Sequence, residues 1–250
     1  MAATDSPTDD HAFSIWVAER IGDTLLSVRT RDLEGKILKD AGDFEAQQVV
    51  AALLAEHRPD DAVLSEEAED EHRRRLEADR VWIIDPLDGT REYSERPRDD
   101  WAVHVALWQH GDLVAGAVAQ PARGETLSTS SPPVVPPRDP SDPVRMAVSR
   151  SRASETVLAV ADRLGAELVP MGSAGVKVAA VIRGEVDAYL HTGGQYEWDS
   201  AAPVAVARAA GLHTSRADGS PLLYNQADVY LPDLLVCRPE LAERILALLT

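Results

Sequence analysis

The 250-residue chain has one cysteine, Cys237, so an internal disulfide is excluded. In the run Leu234-Leu235-Val236-Cys237 the thiol reads as a packed strand residue rather than a reactive group. Long apolar runs are also missing: none approaches the ~20 residues that a membrane-spanning helix needs. The opening MAATDSPTDDHAF lacks a basic region followed by an apolar core, so no secretory signal is expected there. Together these absences lead to the expectation of a cytoplasmic protein with no membrane partner. Positive charge is scarce as well, with 25 Lys and Arg against 42 Asp and Glu and a formal net charge of −17. That balance opposes binding to a nucleic-acid polymer, which relies on Lys and Arg at the phosphates. It does not oppose a small phosphorylated substrate, because bound cations can reverse the sign locally.

What is present suits a folded enzyme. Hydrophobic residues make up 44%, ordinary for a globular chain, and the length allows one large domain or two small ones. Residues 1–9 are polar and are expected to be a disordered tail. Phe13, Trp16, Val17, Ile21, Thr24, Leu25 and Val28 recur at helical spacing, which predicts an amphipathic helix over 10–29. A charged, Gly-containing loop is expected from Arg29 to Gly42, with Asp43 capping a second helix. Ala62-Val63-Leu64 reads as a short strand running into Glu66 and Glu67, and the charge-dense run from Glu66 to Arg80 reads mostly as a solvated flap. Trp101, Val103, Val105 and Leu107 alternate along a strand that turns at His110-Gly111-Asp112, and His104 within it reads as a core histidine. Six prolines between Pro132 and Pro143 mark a loop between lobes. After it, strand and helix alternate to a last helix over 239–249. The expectation is a mixed α/β, layered fold with a metal-binding lobe at 10–140 and a second lobe at 141–250.

The stretch VWIIDPLDGTREY, Val81 to Tyr93, organises the rest. Val81-Trp82-Ile83-Ile84 reads as a buried strand that ends on Asp85, and Pro86 is expected to stop it. Asp88-Gly89-Thr90 then turns, with Gly89 free to take a positive φ. Two carboxylates are thereby delivered to a backbone that can curl around a small ion or phosphate. Hard divalent cations such as Mg²⁺ favour carboxylate, carbonyl and water oxygens, and the Leu87 carbonyl could face the same point.

IDPLDGT resembles the Asp-Pro-x-Asp-Gly-Thr signature of the inositol monophosphatase superfamily, the lithium-sensitive, Mg²⁺-dependent phosphomonoesterases. Ser65-Glu66-Glu67 upstream is similar to the family's acidic pair, and Glu197-Trp198-Asp199-Ser200-Ala201-Ala202 downstream is similar to its Trp-Asp signature. The resemblance implies five layers, αβαβα, and a site with two or three Mg²⁺ ions. It implies Glu66, Asp85 and the Leu87 carbonyl around one ion, with Asp85, Asp88 and Asp199 around another. Thr90 would orient the attacking water together with an upstream Asp. The family segment for that Asp is Asp-x-Val-Thr-x-x-Asp, and here it reads Ile37 to Asp43. Asp43 fits the last position, Asp40 stands where the family has Thr, and the first Asp is missing. Asp40 or Glu67 is the candidate partner of Thr90. Asp88, Gly89, Thr90, Ser173 and Lys177 are the candidate substrate contacts, Lys177 reading equally well as an exposed helix lysine.

Arg91-Glu92-Tyr93 after the Asp-Gly-Thr resembles the Lys-Glu-Phe of the superfamily's bacterial 3′(2′),5′-bisphosphate nucleotidases. Gly172 to Lys177 and Gly194 to Asp199 are similar to that subgroup too. The implied reaction is hydrolysis of 3′-phosphoadenosine 5′-phosphate to AMP and phosphate in sulfur assimilation, with inositol 1-phosphate or fructose 1,6-bisphosphate as alternative substrates. The second phosphate would need a cation, for which Lys177 or a nearby Arg is the candidate, and the adenine an aromatic wall from Tyr196 or Trp198. A homodimer is admissible. Two other classes stay open on the residues alone. One is a haloacid-dehalogenase-like phosphatase with Asp85 as nucleophile, against which the two-residue spacer Pro86-Leu87 argues. The other is a non-catalytic metal-binding module.

Overall fold

A computed structural model describes residues 6–68, 71–151 and 153–249. The chain opens with α1 (Asp10–Arg29) and α2 (Gly35–His57), followed by β1 (Ala62–Ser65) and a 3₁₀ turn (Glu71–Glu77). Next come β2 (Arg80–Asp88), the short α3 (Thr90–Ser94), β3 (Ala102–Gln109), β4 (Asp112–Gln120) and β5 (Glu125–Ser128). The second half runs β6 (Arg145–Ser149), α4 (Glu155–Leu164), β7 (Glu167–Met171), α5 (Ala174–Ile182), β8 (Ala188–His191) and β9 (Gln195–Tyr196). It continues with α6 (Glu197–Ala209), β10 (His213–Ser215), β11 (Tyr230–Leu231), β12 (Leu234–Cys237) and α7 (Pro239–Leu246).

Two five-stranded mixed sheets result, ordered β1-β2-β3-β4-β5 and β10-β12-β8-β6-β7, with β9 and β11 forming a separate ribbon. Alternation along β2 and β3 divides the first sheet between two cores. Trp82, Ile84, Trp101, Val103, Val105 and Leu107 meet Phe13, Val17, Ile21 and Leu25 of α1 and Leu38, Ala46 and Val50 of α2. Val81, Ile83, Ala102 and Ala106 meet α5 and α6, which on their other side cover Ala147, Tyr189, Leu234 and Val236 of the second sheet. Helices α4 and α7 close the far face of that sheet through Val157, Val160, Leu241 and Ile245. The layers are therefore helix, sheet, helix, sheet, helix, the five-layer α/β architecture expected. Cys237 is buried in β12, and burial pushes its thiol up to about 12, consistent with an inert packed residue.

Three local expectations are corrected. Helix α2 starts at Gly35 rather than after Gly42, so Asp43 lies inside it and caps nothing. Lys36, Lys39, Asp40 and two glycines gave the stretch a loop-like composition. Yet Leu38, Gly42, Ala46, Val50 and Leu54 keep the helical spacing on the buried face. Gly42 is there for closeness: a Cβ would stand 2.7 Å from the Tyr93 ring and 3.1 Å from Leu87. Pro86 does not end β2, which runs on to Asp88 with a bulge against β3, as Asp85 pairs with His104 and Asp88 with Ala102. Finally, the charged run 66–80 is not wholly solvated, because Arg75 is buried. Arg75 donates to Asn225 Oδ1 at 2.8 Å and to the Gln226 carbonyl at 2.9 Å. Of the tail expected over 1–9, residues 1–5 lie outside the described residues. Asp9 caps α1 by accepting the Ala12 N–H at 2.8 Å.

Candidate active site

The bulge in β2 decides where the carboxylates go. In a regular strand, residues three apart point to opposite faces. One extra residue between Asp85 and Asp88 restores them to a common side. Both then line a cleft of about 390 Å³ together with Glu66 from the end of β1 and Asp199 from the first turn of α6. Leu87, Gly89, Thr90, Ser173 and Lys177 line it as well. The first sheet thus contributes Glu66, Asp85, Leu87 and Asp88, and the helices of the second half contribute Ser173, Lys177 and Asp199.

Each aspartate is held by one oxygen. Asp85 Oδ1 accepts the Leu87 N–H at 3.0 Å. Asp88 Oδ2 accepts the Ser173 hydroxyl and, at 2.9 Å, the Gly175 N–H, with His104 Nε2 3.3 Å away. Asp199 Oδ2 accepts the Tyr196 N–H at 2.6 Å, so the residue caps its own helix as well as facing the cleft. Gly89 takes φ +86°, which lets the chain turn from β2 into α3. Ser173 has φ +48°, an uncommon angle for a residue with a Cβ, and its hydroxyl also accepts the Val176 N–H.

Nothing within the described residues donates to Asp85 Oδ2, although the residue is 1% exposed. Burial and the neighbouring Glu66, Asp88 and Asp199 charges push the Asp85 carboxyl well above its usual range. Glu66, exposed at the rim, is pushed up to about 7 by desolvation and then by Asp199, Glu67 and Asp88. Four converging carboxylates with an orphaned buried oxygen need a counter-cation, and an all-oxygen set suits a hard divalent ion. Asp85, Asp88 and His104 offer ligand atoms within 4.8 Å of one another, a group that could hold a metal ion.

The other expected residues divide. Thr90 donates its hydroxyl to the Leu87 carbonyl at 3.1 Å. Lys177 is not an exposed lysine: it is 5% exposed and donates to the carbonyls of Gly172 (3.2 Å) and Ser173 (2.6 Å). Burial lowers its ammonium to about 8. Asp40 is not brought to the cluster; it is exposed on α2 and paired with Lys36 at 2.6 Å. Asp43, on the same helix, has Glu67 and Tyr93 among its neighbours, and like Asp40 it is not among the residues that line the cleft. Desolvation, with Glu67 and Asp40 nearby, pushes it up to about 7.

Sequence reasoning missed three groups. His104 is the core histidine expected, but it also abuts Asp88 and lies 3.2 Å from the Trp198 carbonyl through Nδ1. No sequence signal marked that contact, because the pairing of His104 with Asp85 is a register relation between two strands. Arg150, just past the end of β6, lines the cleft and bonds Glu92 at 2.7 Å and Glu95 at 2.8 Å. The end of an apolar strand was the clue. Glu197 is buried and accepts the N–H groups of Asn225 (2.6 Å) and Gln226 (2.7 Å), so it joins the Arg75 network to the helix carrying Asp199.

The chain is similar to several known proteins. A protein of Mycobacterium bovis named 3′-phosphoadenosine 5′-phosphate phosphatase is 51% identical over 84% of this chain and 80% of the relative. A protein of the same name from Mycobacterium leprae is 47% identical over 96% of this chain and 93% of the relative. Among solved structures, CysQ from Bacteroides thetaiotaomicron is 29% identical and superposes with a TM-score of 0.75 over 90% of this chain and 95% of that one. The description "Inositol monophosphatase family" matches residues 34–250, and the chain belongs to that family.

Proposed function

We propose that this protein is a Mg²⁺-dependent phosphomonoesterase that removes the 3′-phosphate of 3′-phosphoadenosine 5′-phosphate, leaving AMP and phosphate. The observation that carries the reading is the convergence of Glu66, Asp85, Asp88 and Asp199 on one cleft, in a chain 51% identical to a protein named for that reaction. Family membership also removes the haloacid-dehalogenase-like alternative, in which Glu66 and Asp199 would have no role.

Glu66, Asp85, Asp88, Asp199 and the Leu87 carbonyl would hold the Mg²⁺ ions. When bound, such ions neutralise the phosphoryl oxygens and activate water. The remaining steps belong to the protein. The Thr90 hydroxyl, aimed by the Leu87 carbonyl, orients the attacking water, and the desolvated Asp43 carboxyl is the candidate for the upstream carboxylate role, Asp40 being exposed and paired with Lys36. The N–H groups of Gly89 and Thr90, on the turn lining the cleft, hold phosphate oxygens. The first turn of α6 adds favourable dipole for the substrate's negative charge. Lys177 is committed to the 172–173 carbonyls and shapes that loop. The cation for the second phosphate is therefore Arg150, poised at the cleft between Glu92 and Glu95.

The test compares kcat/KM for 3′-phosphoadenosine 5′-phosphate, inositol 1-phosphate and fructose 1,6-bisphosphate at one Mg²⁺ concentration. Preference for the bisphosphonucleotide supports the assignment. Preference for inositol 1-phosphate overturns it and leaves the carboxylate site standing.

A further inference from the structure

A nucleotide substrate needs more than a place for its phosphates, and the rim of the cleft carries a feature the carboxylate site does not use. Tyr196 lines the cleft and is 46% exposed, three residues before Asp199. Its ring is stacked on Trp198, with centroids 4.9 Å apart and planes at 17°, so one face is backed by a second aromatic. Tyr230 meets it edge-on at 6.1 Å and 79°. The β9–β11 ribbon pairs Tyr196 with Tyr230 across the backbone. Tyr230 itself is seated against Gly194, where a Cβ would fall 1.8 Å from the phenol oxygen and force the ring out. An exposed aromatic braced from behind and from the side is a rigid platform with little rotamer entropy left to lose.

A second observation points to a ligand at the same place. Gln195, next to Tyr196 and also lining the cleft, is 8% exposed, and its Nε2 has no hydrogen-bond partner among the described residues. A buried amide donor without an acceptor is costly unless something arrives to meet it. Trp198 cannot offer the same service as Tyr196, because its ring is the support and does not line this cleft.

We infer that Tyr196 and Gln195 form a nucleoside subsite: the Tyr196 face stacks on the base, and the Gln195 amide donates to an oxygen or ring nitrogen of the nucleoside. The inference rests on the proposed nucleotide substrate and says which residues select it over a sugar or inositol phosphate. Stacking reads a π-face and not base identity, so the subsite favours nucleotides as a class over sugar and inositol phosphates.

The experiment uses the intact protein with the Tyr196→Ala, Tyr196→Phe and Gln195→Ala variants, and two readouts. The first is kcat and KM for 3′-phosphoadenosine 5′-phosphate and for inositol 1-phosphate. The second is equilibrium binding of AMP and of ribose 5-phosphate, which share a 5′-phosphate and differ in the base. Tyr196→Ala should lower the nucleotide-over-inositol selectivity by about tenfold or more, through KM, as expected for one lost base–aromatic stack. It should also erase the preference for AMP over ribose 5-phosphate. Tyr196→Phe should keep both, because the ring and not the hydroxyl is used. Gln195→Ala should weaken AMP binding with less effect on inositol 1-phosphate. If Tyr196→Ala lowers both substrates equally, or leaves the AMP preference intact, the subsite is refuted while the nucleotidase reading stands. If the unaltered protein prefers inositol 1-phosphate and binds AMP no better than ribose 5-phosphate, both readings fall.

Discussion

Substituting Asp85 with Asn should lower turnover by at least ~10²-fold yet stabilise the metal-free protein. Asp85 Oδ1 is fixed by the Leu87 N–H, so an Asn keeps its oxygen there and turns its amide N–H₂ toward the place of Oδ2. That place faces Glu66, Asp88 and Asp199, whose charges now hold the Asp85 carboxyl well above its usual range, after burial as the first cause. A repelled carboxylate becomes a donor to its neighbours.

The magnitude can be taken from Glu66. Its carboxyl moves from 4.5 to about 7, chiefly by desolvation and then by the other acids. A folded-state value above the unfolded one means the folded protein binds more protons. The associated stability is present below 4.5 and is lost as pH rises through about 7. The full shift corresponds to roughly 3 kcal/mol. Glu66 is exposed, and solvent screening reduces that to roughly 1–2 kcal/mol. For a domain of this size, that is a Tm change of about 3–6 °C. Thermal melts with and without Mg²⁺ at pH 5 and pH 8 measure it. The Mg²⁺-induced rise in Tm should be larger at pH 8 by about 3–6 °C. Asp85→Asn should raise the metal-free Tm at pH 8, shrink the Mg²⁺ response and lower turnover by at least ~10²-fold. An equal Mg²⁺ response at both pH values, or a metal-free Tm that falls in Asp85→Asn, refutes the reasoning.

Arg150→Ala should raise KM for the bisphosphonucleotide by about tenfold or more, the scale of one charge-assisted hydrogen bond. It should act much less on inositol 1-phosphate, and steady-state kinetics on both substrates checks the difference. Thr90→Val should lower kcat by ~10²-fold, as should Asp43→Asn if it is the upstream carboxylate. Asp40→Asn, an exposed change on α2, should stay within about twofold; a large loss at Asp40 with none at Asp43 reverses that assignment. Arg75→Gln removes the cation beside Glu197 and the donor to the Gln226 carbonyl. It should cost ~2–3 kcal/mol, seen as a lower Tm in thermal melts, and it should weaken Mg²⁺ binding measured by calorimetry.

Much of the fold was legible because both cores follow simple periodicities. The apolar run 81–84 and the alternation 101–107 gave β2 and β3, and the 3.6-residue spacing gave α1. What stayed hidden depended on long-range closeness. The start of α2 reads as a loop until Gly42 is seen touching Tyr93 and Leu87 across the layer. Arg75 reads as surface until it meets Asn225, a residue 150 positions away. The acidic cluster could be read from its motifs, whereas the means of bringing Asp85 and Asp88 to one side could not. A bulge is a register relation between two strands, and neither strand announces it alone.

The way the carboxylates are tethered explains how a chain can keep them together at all. Each aspartate of the cluster spends one oxygen on a protein donor: the Leu87 N–H for Asp85, Ser173 and Gly175 for Asp88, and the Tyr196 N–H for Asp199. Those bonds fix direction without neutralising charge, so the repulsion remains as a cost carried by the fold. The donors come from different layers. Leu87 belongs to the first sheet, Ser173 and Gly175 to the start of α5, and Tyr196 to the ribbon beside α6. Holding the acids in place is therefore the same act as packing the central helices between the two sheets. That packing buries Val176, Val178, Val204 and Val206 among others. Burial of side chains of this size contributes roughly 1.5–3 kcal/mol each, so a handful outweighs the strain of several like charges. A cation arriving at the cleft then releases free energy already stored in the fold, which ties affinity for the ion to the stability of the protein.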